Sequence, residues 1–278
     1  MERGHPRSIA RAAGRSRGRR CYRAAVRYLL LSDVHGNAVA LAAVLADARR
    51  HGYDAVAFLG DAVGYHPAID ATVRTLAELR PTFALLGNHD AQLLAFRDGG
   101  SVEDPAGGLV GEILARQAEA ISDEALAWLR TLEPSYRDGS FEAVHGALAR
   151  RWQYLHGLPD AEENLPHLER PICLVGHTHV PRLMAAADGP GGRTLWRQVP
   201  FGEEGGRYRM PPKARGFFNP GAVGQPRDGV PYASYALFDV DTRRFEVVRV
   251  PFDVAAVQRE LRAAEYPDVL AERLAVGR

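Results

Sequence analysis

Five short blocks hold the residues best suited to chemistry: Asp33-Val34-His35, Gly60-Asp61, Gly87-Asn88-His89-Asp90, Val144-His145-Gly146 and Gly176-His177-Thr178-His179. Five of the chain's ten histidines fall in them, beside carboxylates and one amide. Taken singly, an Asp-x-His is most often a capped turn and a Gly-Asp a helix N-cap. Five such blocks, each just past an apolar run, point elsewhere. Imidazole, carboxylate and amide oxygen together suit Mn²⁺, Fe or Zn²⁺, and the lack of thiolate disfavours Cu(I) and iron–sulfur clusters. Residues one apart on a strand end project to the same side, so Asp33 with His35, and His177 with His179, are each expected to chelate one region. Asp61 stands between the two sets as a bridging carboxylate. Two divalent ions about 3.5–4 Å apart would clamp a phosphorus centre for in-line displacement by an activated water.

These blocks need elements to carry them. From Val26 short apolar runs alternate with helical patterns, which predicts an α/β domain. VRYLLLS, DAVAFLG (54–60) and TFALLG (82–87) read as strands, separated by helices over 38–50 and 68–79. That β-α-β-α-β unit predicts a parallel sheet with right-handed crossovers. Two helices are expected over Glu112–Ala120 and Ser122–Leu132, the second capped by Ser122; they make a helical cap insertion over about 91–137. Strands are expected again over 141–146, 172–177, 193–199, 216–219, 234–240 and 245–250, with a hairpin turn at Asp241 and a closing helix over about 253–275. In open α/β sheets ligands bind beyond the carboxyl ends of strands, where all five blocks lie.

Composition narrows the function classes. The 278 residues are 46% hydrophobic and 25% charged, ordinary for a globular chain able to bury its own core. Two distant cysteines, Cys21 and Cys173, exclude a disulfide scaffold or a cysteine metal site. A single lysine, Lys213, excludes a P-loop. Residues 1–27 carry nine arginines and one acid, which leaves 26 basic and 33 acidic residues, a formal −7, on the rest. That balance argues against a nucleic-acid partner. Residues 1–25 read as a disordered Arg-rich extension without a secretory apolar core, and no run approaches a membrane span; the expectation is one cytoplasmic domain over 26–278. Nothing in the sequence sets an oligomeric state.

In their order and spacing the five blocks resemble the calcineurin-like metallophosphoesterase superfamily, over essentially residues 26–275. The resemblance implies an α/β fold, a two-sheet β-sandwich flanked by helices, with a dinuclear metal centre. By the family pattern Asp33, His35 and His179 would hold one ion, Asn88, His145 and His177 the other, and Asp61 would bridge. His89 would act as general acid on the leaving group, with Asn88 and His89 contacting the phosphate. The implied cofactors are two divalent ions, Mn²⁺ first, with Fe, Zn²⁺ or Ni²⁺ as alternatives. The implied activity is hydrolysis of a phosphomonoester or phosphodiester, on a small molecule or a phosphoprotein. A non-catalytic metal-binding scaffold and a nuclease are the rivals.

Within that superfamily, protein phosphatases and symmetrical diadenosine tetraphosphatases usually continue Gly-Asp-x-Val-Asp-Arg-Gly. Here the stretch is Gly60-Asp61-Ala62-Val63-Gly64-Tyr65: Gly64 replaces the Asp that orients the catalytic histidine, and Tyr65 the phosphate-gripping Arg. The stretch is more similar to small prokaryotic phosphoesterases with Gly-Asp-x-x-Gly-Tyr and an Asn219–Arg227 block. That leaves Asp90 or a backbone carbonyl to orient His89. Arg150 and Arg151 are candidates to clamp a phosphate. Tyr65 and His66 are candidates for the pocket lining, as against a turn. The Asn219–Arg227 loop reads as turn chemistry, with Arg227 in reach of the site. Trp152 and Tyr154 could stack a base or simply pack. The insertion reads as a packed cap or a lid, and Cys173 as a buried strand residue.

Overall fold

The run Tyr28-Leu29-Leu30-Leu31 is apolar at every position, as a strand buried on both faces must be. In the computed structural model, which describes residue 1 and residues 26–102, 105 and 107–278, it forms β1 (Arg27–Leu31). Residues 2–25 of the expected extension lie outside the described residues. Tyr28 and Leu30 face one core and Leu29 and Leu31 another, so a single strand separates two packed layers.

The first sheet has the spatial order β3 (Phe83–Ala84), β2 (Ala55–Phe58), β1, β11 (Ala233–Asp239), β12 (Arg244–Val250), β9 (Gly206–Arg209). Its first three strands are parallel, in register Tyr28↔Ala55 and Ala57↔Phe83; the rest are antiparallel. The second sheet runs β4 (Ser135–Arg137), β5 (Glu142–Val144), β6 (Ile172–Leu174), β10 (Arg215–Asn219), β7 (Arg182–Asp188), β8 (Thr194–Pro200), with β5, β6 and β10 mutually parallel. Phe141, Leu174 and Phe218 of the second sheet interdigitate with Tyr28, Phe238 and Phe245 of the first. Phe245 stacks on Phe238 at 4.5 Å and on Phe218 at 4.2 Å, joining the layers. Each such ring contributes about 1.5–3 kcal/mol by burial.

Helices α1 (Ala38–His51), α2 (Ile69–Glu78), α4 (Gly108–Ala120) and α5 (Asp123–Leu129) cover the outer face of the first sheet. Ala161 of α6 (Leu158–Asn164) packs with Cys173, Met184 and Phe217 on the outer face of the second. The sequence pattern misses several elements. α3 (Asn88–Asp98) begins inside a block read only as loop, because its first turn holds His89 and Asp90 buried in place of an apolar stripe. β7 is alanine-rich and β9 short and polar; pairing with neighbours, not propensity, makes them strands. β4 and α6 were also unexpected. The closing helix is two, α7 (Val254–Ala263) and α8 (Asp268–Ala275), interrupted where Glu265 takes φ 56° ahead of Pro267.

Candidate active site

The carboxyl ends of β1, β2 and β3 meet those of β5, β6 and β10. Backbone bonds lace the loops within each sheet: Asp33 N–H donates to Gly60 O at 2.9 Å, and Gly176 N–H to His145 O at 2.8 Å. The His177 N–H crosses the sandwich to the Asp33 carboxylate at 3.2 Å. The expected reason for pairing Asp33 with His35 and His177 with His179 was the strand period, and it does not hold. All four lie past the strand ends with positive φ, 53°, 51°, 68° and 61°. Asp and His tolerate this left-handed region better than most residues, and the strain, about 1–3 kcal/mol each, is typical of functional loops. The outcome differs too: His179 joins Asp33 and His35, whereas His177 joins a second group.

Two clusters result. Ligand atoms of Asp33, His35, Asp61 and His179 lie within 4.8 Å of one another, as do those of Asp61, His145 and His177, so Asp61 belongs to both. Asp61 Oδ2 is 3.6 Å from His35 Nε2 and 3.3 Å from His145 Nε2; Asp33 Oδ1 is 3.4 Å from His179 Nε2. Backbone carbonyls select the ring tautomers. Nδ1 of His35 meets Val63 O at 2.8 Å, that of His145 meets Leu59 O at 2.7 Å and that of His179 meets Gln225 O at 2.6 Å. Each carbonyl requires a proton on Nδ1 and turns Nε2 inward, the arrangement that holds histidine for a metal. In His177 it is Nε2 that meets a carbonyl, Trp152 O at 3.0 Å, which leaves Nδ1 free.

The electrostatics fit a cation. Burial pushes His35 and His179 well below the ordinary imidazole range and His177 down to about 3, so all three are neutral ligands at pH 7. Burial also disfavours both carboxylates. At Asp33 it prevails and raises the pKa to about 7; at Asp61 the imidazoles of His145, His89 and His35 outweigh it. Burial likewise opposes charge on His145, but Asp61 overrides it and lifts that imidazole to about 9. A proton on His145 thus stands where a metal ion would replace it. Asn88 Oδ1 is buried without a hydrogen-bond partner, and Asp61 Oδ2 and His145 Nε2 have only each other, at 3.3 Å, a cost relieved by coordination.

The calcineurin-like phosphoesterase superfamily domain matches residues 26–243. The chain belongs to this superfamily. It is a metallophosphoesterase, a hydrolase of phosphate ester bonds in a metal-dependent family. A metallophosphoesterase from Sphaerobacter thermophilus, known from its crystal structure, is 34% identical with a TM-score of 0.77, covering 91% of this chain and 100% of its own. An uncharacterized protein of Methanocaldococcus jannaschii is 28% identical over 255 residues, 90% of this chain and 97% of that protein. A symmetrical bis(5'-nucleosyl)-tetraphosphatase from Methylococcus capsulatus is 38% identical over 100 residues, 36% of this chain and 34% of that enzyme.

In this phosphoesterase, α3 starts at Asn88 and aims its first turn at the cluster: the His89 N–H donates to Asp61 Oδ1 at 2.9 Å, favourable for a carboxylate at a helix N-terminus. Gly87 has no alternative, since a Cβ there would meet Asp61 Oδ1 at 2.0 Å. Asp90 is not the orienter of His89. Its carboxylate accepts from the amides of Asp61 and Ala62 at 2.9 Å, Gly87 at 3.1 Å and Val63 at 3.3 Å, fixing the loop that carries Asp61. His89 Nδ1 is buried with no partner, and packing holds the ring, 4.6 Å from His35 and 4.9 Å from Tyr65. A Cβ on Gly64 would lie 2.3 Å from His89 Nδ1, so this packing demands the glycine.

The structure sends Arg150 away from the cluster. Its side chain is 71% exposed and pairs with Glu163 at 3.6 Å. Arg151 lies over the Trp152 ring. Tyr154 stacks on His177 at 3.8 Å with His156 on it at 5.1 Å, so two imidazoles already engage its ring. Tyr65 and His66 are buried beside His35; His66 Nδ1 meets His35 O at 2.9 Å. Gln117 had no signal in the sequence. From α4 of the insertion it accepts from Gly64 N–H and donates to His66 O, both at 2.8 Å, clamping the loop against His89. Cys173 is buried.

Proposed function

We propose that this chain hydrolyses phosphodiester or phosphomonoester bonds at a dinuclear metal centre. Asp33, His35 and His179 would hold one divalent ion, Asn88, His145 and His177 the other, with Asp61 shared. The observation that carries this reading is the pair of ligand clusters joined through Asp61. Bound there, two divalent ions supply Lewis acidity, lowering the pKa of a water and offsetting charge on phosphoryl oxygens.

The chain's own residues do the rest. Backbone carbonyls keep the imidazoles in ligand tautomers. The first turn of α3 fixes Asp61 through the His89 N–H, and the Asn88 amide would offer its NH2 to the phosphoryl group. His89 is assigned the leaving-group oxygen, as the buried imidazole beside the clusters that neither of them includes; burial drives it down to about 4, so it is neutral at pH 7 and must gain its proton in the loaded site. Mn²⁺ is the first metal to try, and the surroundings of His89 exclude bulk water.

The test is hydrolysis of bis(p-nitrophenyl) phosphate and p-nitrophenyl phosphate by chelator-stripped protein, with Mn²⁺, Ni²⁺, Zn²⁺ or Mg²⁺ returned. Diadenosine tetraphosphate belongs in the panel, because the Methylococcus capsulatus relative is named for such substrates. Metal-restored cleavage is the expected result. Inertness toward all three of protein carrying two ions would favour the scaffold reading instead.

A further inference from the structure

Arg227 is half-buried within the loop between β10 and β11, and its charge has no carboxylate partner within 4 Å among the described residues. The acid next to it in the chain, Asp228, is taken by Arg249. One Arg227 amino group donates to the Tyr65 hydroxyl at 2.8 Å and to Gln225 Oε1 at 3.4 Å, and the guanidinium also hydrogen-bonds the Tyr154 hydroxyl. Its Nε is buried with no acceptor. The guanidinium lies 5.4 Å above the Tyr65 ring, and that ring is edge-on to His35 at 4.6 Å. The same Tyr65 ring lies 4.9 Å from His89 and 6.3 Å from His179, so the guanidinium neighbours the ligand cluster.

The loop is held rigidly. Gln225 O accepts from the His179 Nδ1–H at 2.6 Å, and the Asn37 amide donates to Gly224 O at 2.9 Å. A Cβ on Gly224 would meet Val34 O at 1.9 Å, so the loop lies flat against the turn that carries Asp33 and His35. Arg227, two residues beyond Gln225, is thereby fixed relative to His179. A half-buried guanidinium with no carboxylate partner, preorganised beside a ligand cluster and denied its neighbouring acid, holds a charge that an incoming anion would balance. Charge-assisted contacts to phosphoryl oxygens are the ones a guanidinium makes best.

We propose that Arg227 grips the non-bridging oxygens of the substrate's phosphoryl group, and of the phosphate left after monoester hydrolysis, with Tyr65 as the positioning residue that holds its guanidinium toward the cluster. This rests on the phosphoesterase reading above. It assigns the phosphate clamp to the loop after β10 rather than to Arg150.

The probe is inorganic phosphate, titrated calorimetrically into Mn²⁺-loaded wild type, Arg227→Ala, Arg227→Lys and Tyr65→Phe, alongside KM and kcat for p-nitrophenyl phosphate and bis(p-nitrophenyl) phosphate. Hydrogen bonds to charged groups of this strength correspond to about 10- to 100-fold in affinity. Arg227→Ala should lose that much phosphate affinity with metal content retained, and added guanidinium should restore part of it. Arg227→Lys should recover less than full affinity, since an ammonium cannot fork. Tyr65→Phe should weaken phosphate by about 3- to 10-fold and shift KM more than kcat. Phosphate affinity unchanged in folded Arg227→Ala overturns the proposal, and so does full affinity in Arg227→Lys together with Tyr65→Phe should the alanine variant not fold. A wild type that binds phosphate but cleaves no ester would instead sink the reaction proposed above, because the titration does not depend on turnover.

Discussion

The carboxylate of Glu246 and those at the strand ends are all buried, and the molecule treats them in opposite ways. On the first sheet, Glu246 of β12 takes Arg207 at 2.6 Å, Arg27 at 3.1 Å and Arg244 at 3.5 Å. Its side chain is only 8% exposed, yet each oxygen has a cation. At the strand ends, Asp33 and Asp61 are buried completely or nearly so, and among the described residues no arginine or lysine pairs with either. Their donors are a serine hydroxyl, backbone amides and imidazoles. The first arrangement stabilises the fold without further help. The second is left short of positive charge, and a protein keeps such a deficit where a ligand makes it good.

Filling or removing the deficit should therefore have the largest consequences. Asp61→Asn takes the shared ligand from both clusters. Metal content should fall at both, and ester hydrolysis should drop to the level of chelator-stripped wild type; elemental analysis and the p-nitrophenyl assays read both. His89→Ala leaves the ligands in place, so two ions should be retained while turnover falls by about 10²–10⁴-fold. Unchanged turnover with full metal content would remove His89 from the reaction.

Stability of the metal-free protein sharpens the contrast. The folded pKa of Asp33 lies near 7, above its unfolded value, so folding is favoured while the group is protonated and loses that advantage as pH rises toward 7. Asp33→Asn should abolish this slope and stabilise the metal-free fold at pH 7 by about 1–3 kcal/mol, seen as a higher melting temperature. In wild type, Mn²⁺ should raise the melting temperature by mass action, and chelation should reverse it. A lower melting temperature for metal-free Asp33→Asn would mean that the strand-end carboxylates stabilise the fold as Glu246 does.

The sandwich was legible because buried strands advertise themselves: the apolar runs at β1, β2, β6 and β11 each span a layer, and ligand blocks follow β1, β2 and β6 at their carboxyl ends. What stayed hidden has physical causes. β7 reads RLMAAAD, with little β propensity, and exists because β10 and β8 flank it. α3 hides because its buried face is polar, His89, Asp90 and Gln92 beside Leu93. The strand period brought Asp33 and His35 together on paper, but left-handed turns do so in the molecule, and they split His177 from His179. Gly64 leaves no room for a side chain beside His89, a long-range contact that local sequence does not encode. Arg150 and Arg227 are both arginines near candidate loops; only the fold tells that Glu163 occupies one and that Asp228 is withheld from the other.

The smallest effect concerns the paired acid. Burial raises the pKa of Glu246, but the hydrogen bond and charge of Arg207, with Arg27 and Arg244, outweigh it and hold the carboxyl below its ordinary value. A lowered folded pKa makes the group stabilising above its unfolded pKa, and that stability drains away as pH falls through the folded value. Glu246→Gln should thus cost about 0.5–1 kcal/mol at pH 7 and nothing at pH 2, where the wild-type carboxyl is itself protonated. Its sign at pH 7 is opposite to that of Asp33→Asn in the metal-free protein, and salt should shrink it, since the Arg207 side chain is 64% exposed. Denaturant titrations at the two pH values and at two salt concentrations measure it. If Glu246→Gln were instead neutral at pH 7, three arginines would be doing no more for Glu246 than water does, and the two carboxylate sites would differ in ligand geometry but not in charge balance.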